Sequence, residues 1–283
     1  MNAIELTGLR KSYPGFTLQD VTLTVPAGSV VGIVGENGAG KSTLIKLILG
    51  AVTPEAGNIR VLGVDNQSSA FHTVKNDIGV VLDEAYFPEM LSPRNVGAIM
   101  KDTFRTWDEA CYQRYLQRFA LPEKKLFRDF SRGMKMKLAL SVSLSHGSQL
   151  LLLDEATSGL DLVARDELLD LLNDYTREED RSILISSHIV SDLEKICDYI
   201  AFLHKGKLLF CEEKDRLLEE YAVLKLSAHD FLAVPETAVV SCRRTPYGVE
   251  ALVRSAEVST AFPRERATLE EIILFLVKGG DKA

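Results

Sequence analysis

Cysteine is scarce in this sequence. The four residues, Cys111, Cys197, Cys211 and Cys242, lie far apart and form no C-x-x-C pair, which indicates a reducing compartment. A chain of 283 residues can bury a sufficient core without disulfides or a structural metal. Its 46% hydrophobic and 26% charged residues are ordinary for a soluble globular protein. We therefore expect one large domain, alone or with a small appendage.

Long apolar runs and excess basic charge are also missing. The longest aliphatic or aromatic run is the six residues Ile272 to Val277, whereas a membrane-spanning helix needs about 20 apolar residues. The start of the chain lacks a basic segment followed by an apolar one, so we expect no secretory signal. The net charge of −7 argues against nucleic acid as the main partner.

Short β-rich runs and helical segments alternate along the first 216 residues, which indicates an α/β fold. The predicted strands of this part are Ala3–Leu6, Val21–Val25, Val30–Val34, Ile59–Leu62, Ile78–Leu82, Leu150–Leu153, Ser182–Ile185, Tyr199–His204 and Lys207–Cys211. The predicted helices are Lys41–Leu49, Leu162–Tyr175 and Asp192–Cys197.

Two segments depart from this alternation. Residues 85–147 have helical periodicity and are predicted to be a helical insertion, in which a capping box at Thr106–Glu109 opens a helix. That helix is expected to present Cys111, Tyr115 and Phe119 on one face. Residues 217–283 are predicted to form a small α+β appendage. Its expected elements are a helix at Lys214–Tyr221, strands at Ala222–Leu226 and Glu250–Val253, and a helix at Thr268–Val277.

A phosphate-binding loop is the strongest local signal. Residues 35–42 read GENGAGKS, which fits G-x-x-x-x-G-K-[ST] and stands between a predicted strand and a predicted helix. Glycines allow successive N–H groups to point at phosphate oxygens, and the helix N-terminus adds partial positive charge. Lys41 is expected to reach the β- and γ-phosphates, and Ser42 to ligate Mg²⁺. A plain glycine turn before a helix is the weaker alternative.

Polar side chains end two other predicted strands. Asp154 and Glu155 follow four leucines, and His188 follows the strand Ser182–Ile185 and two serines. Ligands bind at the carboxyl ends of strands in open α/β sheets, so we expect these groups near the phosphate-binding loop. Asp154 is predicted to hold Mg²⁺, Glu155 to polarise an attacking water, and His188 to hydrogen-bond the γ-phosphate or that water. A lone histidine is otherwise usually structural.

Taken together, these features resemble an ATP-binding cassette (ABC) ATPase. Residues 130–134, FSRGM, are similar to the family's LSGGQ signature loop, and residues 158–161, SGLD, match its D-loop. Tyr13 matches the aromatic residue that stacks on adenine, and His188 matches the switch histidine. The sequence Ala267–Glu271 is similar to the tail of single-cassette ATPases that serve bacterial ABC-2 type exporters. Tyr13 as a core residue is the alternative that stays open here.

The resemblance implies a P-loop NTPase core with a β-rich N-terminal subdomain, ATP and Mg²⁺ as ligands, and a homodimer or heterodimer of cassettes. It implies that Ser131 and Gly133 of one subunit contact the γ-phosphate bound to the other, with Asp161 at the seam. The insertion would dock a separate transmembrane permease, which places the chain in the cytoplasm, on the inner face of the membrane. The predicted nucleotide-binding residues are Tyr13, Gly35, Asn37, Gly38, Ala39, Gly40, Lys41, Ser42, Thr43, Ser131, Gly133 and Asp161.

Two positions depart from the family pattern. Asp83 stands where glutamine is usual, and we interpret it either as a Mg²⁺ ligand or as a solvated loop residue. Arg132 stands in the signature loop where glycine is common, and it either approaches phosphate or faces solvent.

Two other functions compete with a transport ATPase. A soluble ABC-type ATPase acting on ribosomes or DNA usually has two cassettes or long coiled-coil insertions, and neither is found here. A regulator that binds nucleotide without hydrolysing it is the other alternative, and the presence of Glu155 and His188 argues against it.

Overall fold

Three β-sheets with flanking helices make up the part of the chain that the computed structural model describes, which is residues 2–83, 87–177, 180–259 and 262–278. The strands are β1 (Asn2–Tyr13), β2 (Phe16–Pro26), β3 (Val30–Val34), β4 (Ala56–Val61), β5 (Val64–Asp65), β6 (Ile78–Val81), β7 (Leu150–Asp154), β8 (Ser182–Ser187), β9 (Tyr199–His204), β10 (Lys207–Glu213), β11 (Tyr221–Leu226), β12 (Val239–Thr245), β13 (Gly248–Arg254) and β14 (Arg264–Arg266). The helices are α1 (Lys41–Ile48), α2 (Phe71–Val74), α3 (Pro93–Thr103), α4 (Glu109–Arg118), α5 (Arg132–Leu144), α6 (Leu162–Thr176), α7 (Val190–Ile196), α8 (Lys214–Glu220), α9 (Ala228–Phe231) and α10 (Leu269–Lys278).

The central sheet has the strand order β10-β9-β3-β8-β7-β6, and all of its strands are parallel except β10. Its inner strands are apolar throughout because both faces of the sheet are covered. In β7, Leu150 and Leu152 pack toward the N-terminal sheet, whereas Leu151 and Leu153 pack toward the helices. The α/β prediction is confirmed, and the parallel order brings the carboxyl ends of β3, β6, β7 and β8 to one edge.

The N-terminal sheet is antiparallel, in the order β2-β1-β4-β5, and packs with α1 against one face of the central sheet. The predicted strands Ala3–Leu6 and Val21–Val25 are confirmed, but each is only part of a longer strand. Polar residues and irregular register interrupt the apolar alternation of β1, which is why its full length is not evident from the sequence. The β1–β2 hairpin ends where Tyr13 pairs with Phe16.

The helical insertion consists of α3, α4 and α5, and its predicted start at residue 85 lies outside the described residues. The predicted capping box at Thr106 is wrong. Asp108 caps α4 instead, because its side chain accepts a hydrogen bond from Cys111 N at 2.8 Å. The box actually forms at α3, where Ser92 and Asn95 satisfy each other's backbone N–H groups.

The buried face of α4 also differs from the prediction. Tyr112 and Leu116 are the residues buried within this helix, whereas Cys111 and Tyr115 are only half-buried. The Tyr112 hydroxyl donates to the carbonyl of Pro93 at 2.8 Å. Phe119, at the end of the helix, is buried as expected. The helical periodicity is therefore correct, but within the helix the buried residues are Tyr112 and Leu116, one position after the predicted Cys111 and Tyr115.

The C-terminal part is an antiparallel sheet in the order β12-β13-β11-β14, with α10 against one face. Ile272 and Phe275 of α10 pack on that sheet, whereas Leu269 and Ile273 join the core on the helical side of the central sheet. The predicted last helix is confirmed, and Thr268 and Glu271 form its capping box. The division at residues 216 and 217 stays a prediction, and the predicted end at residue 283 lies outside the described ranges.

None of the helices in the described ranges combines the length and hydrophobicity needed to cross a bilayer.

The assignment of Tyr112 to the buried face of α4 can be tested by removing the hydroxyl group of Tyr112 or of Tyr115. Tyr112→Phe leaves the Pro93 carbonyl without its donor in a buried site, and we expect it to lower the free energy of unfolding by about 1–3 kcal/mol. Tyr115→Phe, on the half-buried face, is the matched control and should change this free energy by less than about 0.5 kcal/mol. Urea unfolding measures both, and equal losses would contradict the assignment of the buried face.

Candidate active site

A cavity of about 530 Å³ opens at the edge where the parallel strands end. It is bounded by the β1–β2 hairpin, the loop from β3 to α1, and the segments after β6 and β7. Its lining residues are Tyr13, Phe16, Asn37, Gly38, Ala39, Gly40, Lys41, Ser42, Thr43, Lys46, Asp83 and Glu155. The structure thus brings together most of the predicted nucleotide-binding residues with Glu155 and Asp83.

The loop before α1 requires glycine for two different reasons. Gly38 and Gly40 have φ of 82° and 110°, conformations that L side chains rarely adopt. At Gly35 a Cβ atom would lie 2.3 Å from the carbonyl oxygen of Leu203, so the close approach of the two backbones excludes any side chain. No described side chain caps α1 and its first turn has no acidic residue. Its N-terminal N–H groups and partial positive charge therefore suit a bound anion.

Lys41 carries a buried positive charge at the base of this loop. The residue is 5% exposed, and its Nζ donates to the carbonyl oxygen of Gly35 at 2.8 Å. Nζ also lies 3.2 Å from Oε1 of Glu155. Because a buried cation needs oxygen partners, this position suits the negatively charged oxygens of a phosphate group.

Glu155 lies between Lys41 and His188. Its Oε2 is 2.6 Å from Nδ1 of His188 and accepts the backbone N–H of His188 at 3.3 Å. Glu155 also has φ of 52°, a left-handed conformation that costs a non-glycine residue about 1–3 kcal/mol. The ends of β7 and β8 thus hold one carboxylate between a lysine and an imidazole.

Ser186 is a site residue that the sequence analysis missed. It is fully buried in β8, and its hydroxyl donates to Oδ1 of Asp154 at 2.6 Å. The same hydroxyl accepts the backbone N–H of Glu155 at 3.1 Å. Asp154 itself is 3% exposed. The sequence feature that could have indicated this role is a serine at the polar end of the apolar strand β8, which neighbours the acidic end of β7.

The β1–β2 hairpin contributes aromatic residues to the cavity. Tyr13 is 41% exposed and lines the cavity, which excludes its interpretation as a core residue. Lys11 Nζ lies 5.8 Å from the centre of its ring. Phe16, which pairs with Tyr13 across the hairpin, also lines the cavity and was not predicted, nor was Lys46 in α1. The cavity is therefore lined both by aromatic side chains of the hairpin and by the charged groups of Lys41 and Glu155.

Ser131, Gly133 and Asp161 are not among the residues that line this cavity. Ser131 caps α5 by accepting the backbone N–H of Met134 at 3.3 Å. Asp161 caps α6 in the same way, with Ala164 N at 2.9 Å, and this hydrogen bond lowers the pKa of the Asp161 carboxyl. Their predicted contacts with a nucleotide stay a prediction.

Metal binding was predicted at Ser42, Asp83 and Asp154. The structure places Ser42 and Asp83 in the cavity wall, and Asp154 directly before Glu155. The Asp83 carboxylate is already paired with the guanidinium of Arg132. Within the described residues, no group of three or more His, Cys, Asp and Glu side chains is arranged to hold a metal. The Ser42 hydroxyl and the Asp154 carboxylate are oxygen donors of the kind that Mg²⁺ binds, and Mg²⁺ usually completes its shell with phosphate and water oxygens.

Comparison with known proteins agrees with this geometry. A family model described as "ABC transporter" matches residues 18–158. The ABC transporter ATP-binding protein YtrB of Bacillus subtilis (strain 168) is 33% identical over 225 residues, covering 79% of this chain and 76% of that protein. The bacitracin transport ATP-binding protein BcrA of Enterococcus faecalis is 32% identical over 209 residues, covering 73% of this chain and 68% of that protein.

A solved structure of the ATP-binding subunit of an ABC transporter superposes with a TM-score of 0.69 at 28% identity. The match covers 76% of this chain and 91% of that one. The sequence relatives, the matched family and the geometry of the cavity agree. The chain belongs to the ATP-binding subunits of ABC transporters.

Proposed function

We propose that this chain hydrolyses ATP with Mg²⁺ between two head-to-tail subunits and so drives export through a separate membrane permease. The observation that carries the proposal is the contact chain Lys41–Glu155–His188, of which Lys41 and Glu155 line the cavity. It combines a buried cation for the phosphates with an oriented carboxylate for the attacking water.

Lys41 and the loop N–H groups bind the triphosphate in this proposal. The Lys41 ammonium exchanges its contacts with Gly35 and Glu155 for phosphate oxygens, so no bare charge is buried during binding. Tyr13 of the hairpin stacks on the adenine, and Phe16 adds a second aromatic surface to the same cavity. The terminal phosphate then lies toward Lys41 and Glu155.

Glu155 accepts the proton of the attacking water, and His188 orients the carboxylate through the Nδ1 contact. Mg²⁺, when bound, would neutralise charge on the triphosphate, and Ser42 and Asp154 supply oxygen ligands of the kind that it prefers. Ser186 fixes both acidic residues because its hydroxyl bonds the Asp154 carboxylate and the Glu155 backbone.

A second subunit supplies the other half of the site. Ser131 and Gly133 lie at the start of α5 and Asp161 caps α6, all outside the cavity of their own chain. Leu162 and Val163, which directly follow Asp161, are 79% and 69% exposed. Adjacent exposed apolar residues of this size suit burial in an interface. A homodimer and a heterodimer with another ABC ATPase both satisfy this arrangement.

Export through a permease is supported by the relatives, since BcrA is named for bacitracin transport and another relative for Nod factor export. These names favour a transporter over a soluble ATPase of ribosomes or DNA. The insertion carries exposed apolar residues, Met90 and Ile99, at 63% and 45% exposure, which suits contact with a membrane subunit. The chain would then lie on the cytoplasmic face of the membrane, and the transported compound would contact the permease.

The role of Glu155 is tested by Glu155→Gln. The variant should lose about 10²–10⁴-fold in ATPase rate because its amide cannot accept the proton. Nucleotide binding should be at least as tight as in the wild type, because Lys41 loses a competing anion, so ATP should trap a dimer in size-exclusion chromatography. Glu36→Gln, an exposed residue of the same loop, is the matched control with an ATPase rate near that of the wild type. Normal turnover by Glu155→Gln would exclude the assignment.

The role of Ser186 is tested by Ser186→Ala. The Asp154 carboxylate loses its donor and the Glu155 backbone loses an acceptor, so we expect a loss of about 10–100-fold in activity or Mg²⁺ affinity, as for other groups that orient a metal ligand. Titrations of the ATPase rate with Mg²⁺ measure this. Ser187→Ala is the control, because its hydroxyl instead accepts the backbone N–H of Ile189. Equal effects of the two substitutions would show that Ser186 has no specific role.

A further inference from the structure

The two positions that depart from the family pattern meet in the folded chain. The guanidinium of Arg132, at the first position of α5, pairs with the carboxylate of Asp83, after the end of β6. Their side chains are 55% and 48% exposed. They are 49 residues apart in sequence, so only the packing of the insertion against the central sheet brings them together.

Arg132 contacts a third segment as well. Its Nη2 lies 3.4 Å from the hydroxyl of Ser158, in the loop between β7 and α6. A Cβ atom added to Gly159 would lie 3.1 Å from Cδ of Arg132, so this side chain lies against the same loop. The arginine therefore joins the cavity wall, the start of the signature helix α5 and the loop that follows Glu155.

The position of Asp83 gives this pairing a consequence for nucleotide binding. Asp83 lines the same cavity as Lys41 and Glu155, the contacting pair that the proposed function places at the terminal phosphates. An unpaired carboxylate there would repel a triphosphate. The usual residues at these two positions, glutamine and glycine, carry no net charge together, and neither does the Asp83–Arg132 pair.

We propose that Arg132 is a positioning residue that neutralises Asp83 in the wall of the nucleotide cavity, so that the site favours a triphosphate. The inference rests on the proposed binding of nucleotide in this cavity. In this inference Asp83 is the fixed ion-pair partner of Arg132 in α5. The effect of Asp83 on nucleotide affinity therefore depends on which residue stands at position 132. A Mg²⁺ ligand at Asp83 would instead act regardless of residue 132.

The pair is tested by a double-mutant cycle on the full-length protein with Arg132→Gln, Asp83→Asn and the double variant. Calorimetry with Mg²⁺ measures the affinity for AMP-PNP, a non-hydrolysable triphosphate analogue, and for ADP. Arg132→Gln should weaken AMP-PNP binding about two- to fivefold, the range expected for an exposed ion pair, and ADP binding less. Asp83→Asn alone should bind AMP-PNP at least as tightly as the wild type. The double variant should return to within about twofold of the wild type.

Arg128→Gln is the matched control. Arg128 is similarly exposed, at 51%, and lies beside Asp129 in the same segment but outside the cavity, so both affinities should stay at wild-type values. Arg132→Lys, which keeps the charge, should restore most of the AMP-PNP affinity. Urea unfolding of each variant identifies any loss that comes from misfolding.

Two results would overturn the inference. One is an Arg132→Gln effect that is equally large for AMP-PNP and ADP. The other is an effect that persists undiminished when Asp83 is also replaced. By contrast, failure of the wild-type protein to bind either nucleotide would contradict the proposed function itself.

Discussion

The buried ammonium group of Lys41 is the charge on which the rest of the site depends. A buried cation is tolerated only where oxygen atoms surround it, and here they come from the Gly35 carbonyl and the Glu155 carboxylate. The glycines of the loop allow the backbone to approach closely, and the parallel strands bring the carboxylate to the same edge of the sheet. In the proposed function, a bound phosphate would replace these oxygen partners with its own, at a low cost in desolvation.

Glu155 needs support because its backbone is held in an unfavourable conformation. It is left-handed directly after the buried Asp154, and such strain persists only where the surroundings fix it. Ser186 in β8 and His188 just after β8 provide that support. The ends of the two strands therefore form one unit, in which Ser186 and His188 hold Asp154 and Glu155 in place.

The N-termini of α5 and α6 each combine a structural role with a proposed functional one. Ser131 and Asp161 stabilise α5 and α6 as capping residues, and the same two helix starts carry the residues assigned to the subunit interface. Arg132 also has several contacts, because its side chain links the start of α5 with the cavity wall and with the loop before α6. If the proposed interface is correct, a change at any of these helix starts affects local stability and the nucleotide site together.

The sequence by itself determined the α/β class, the phosphate-binding loop and the acidic strand end, because glycine spacing, apolar runs and terminal carboxylates are local features. It misplaced the cap and the buried face of α4, since Thr106 and Asp108 are equally plausible caps until packing selects one. Ser186, Phe16 and the Asp83–Arg132 pair were decided only by the tertiary structure. Their partners are distant in sequence, and strand order and the docking of the insertion bring them into contact.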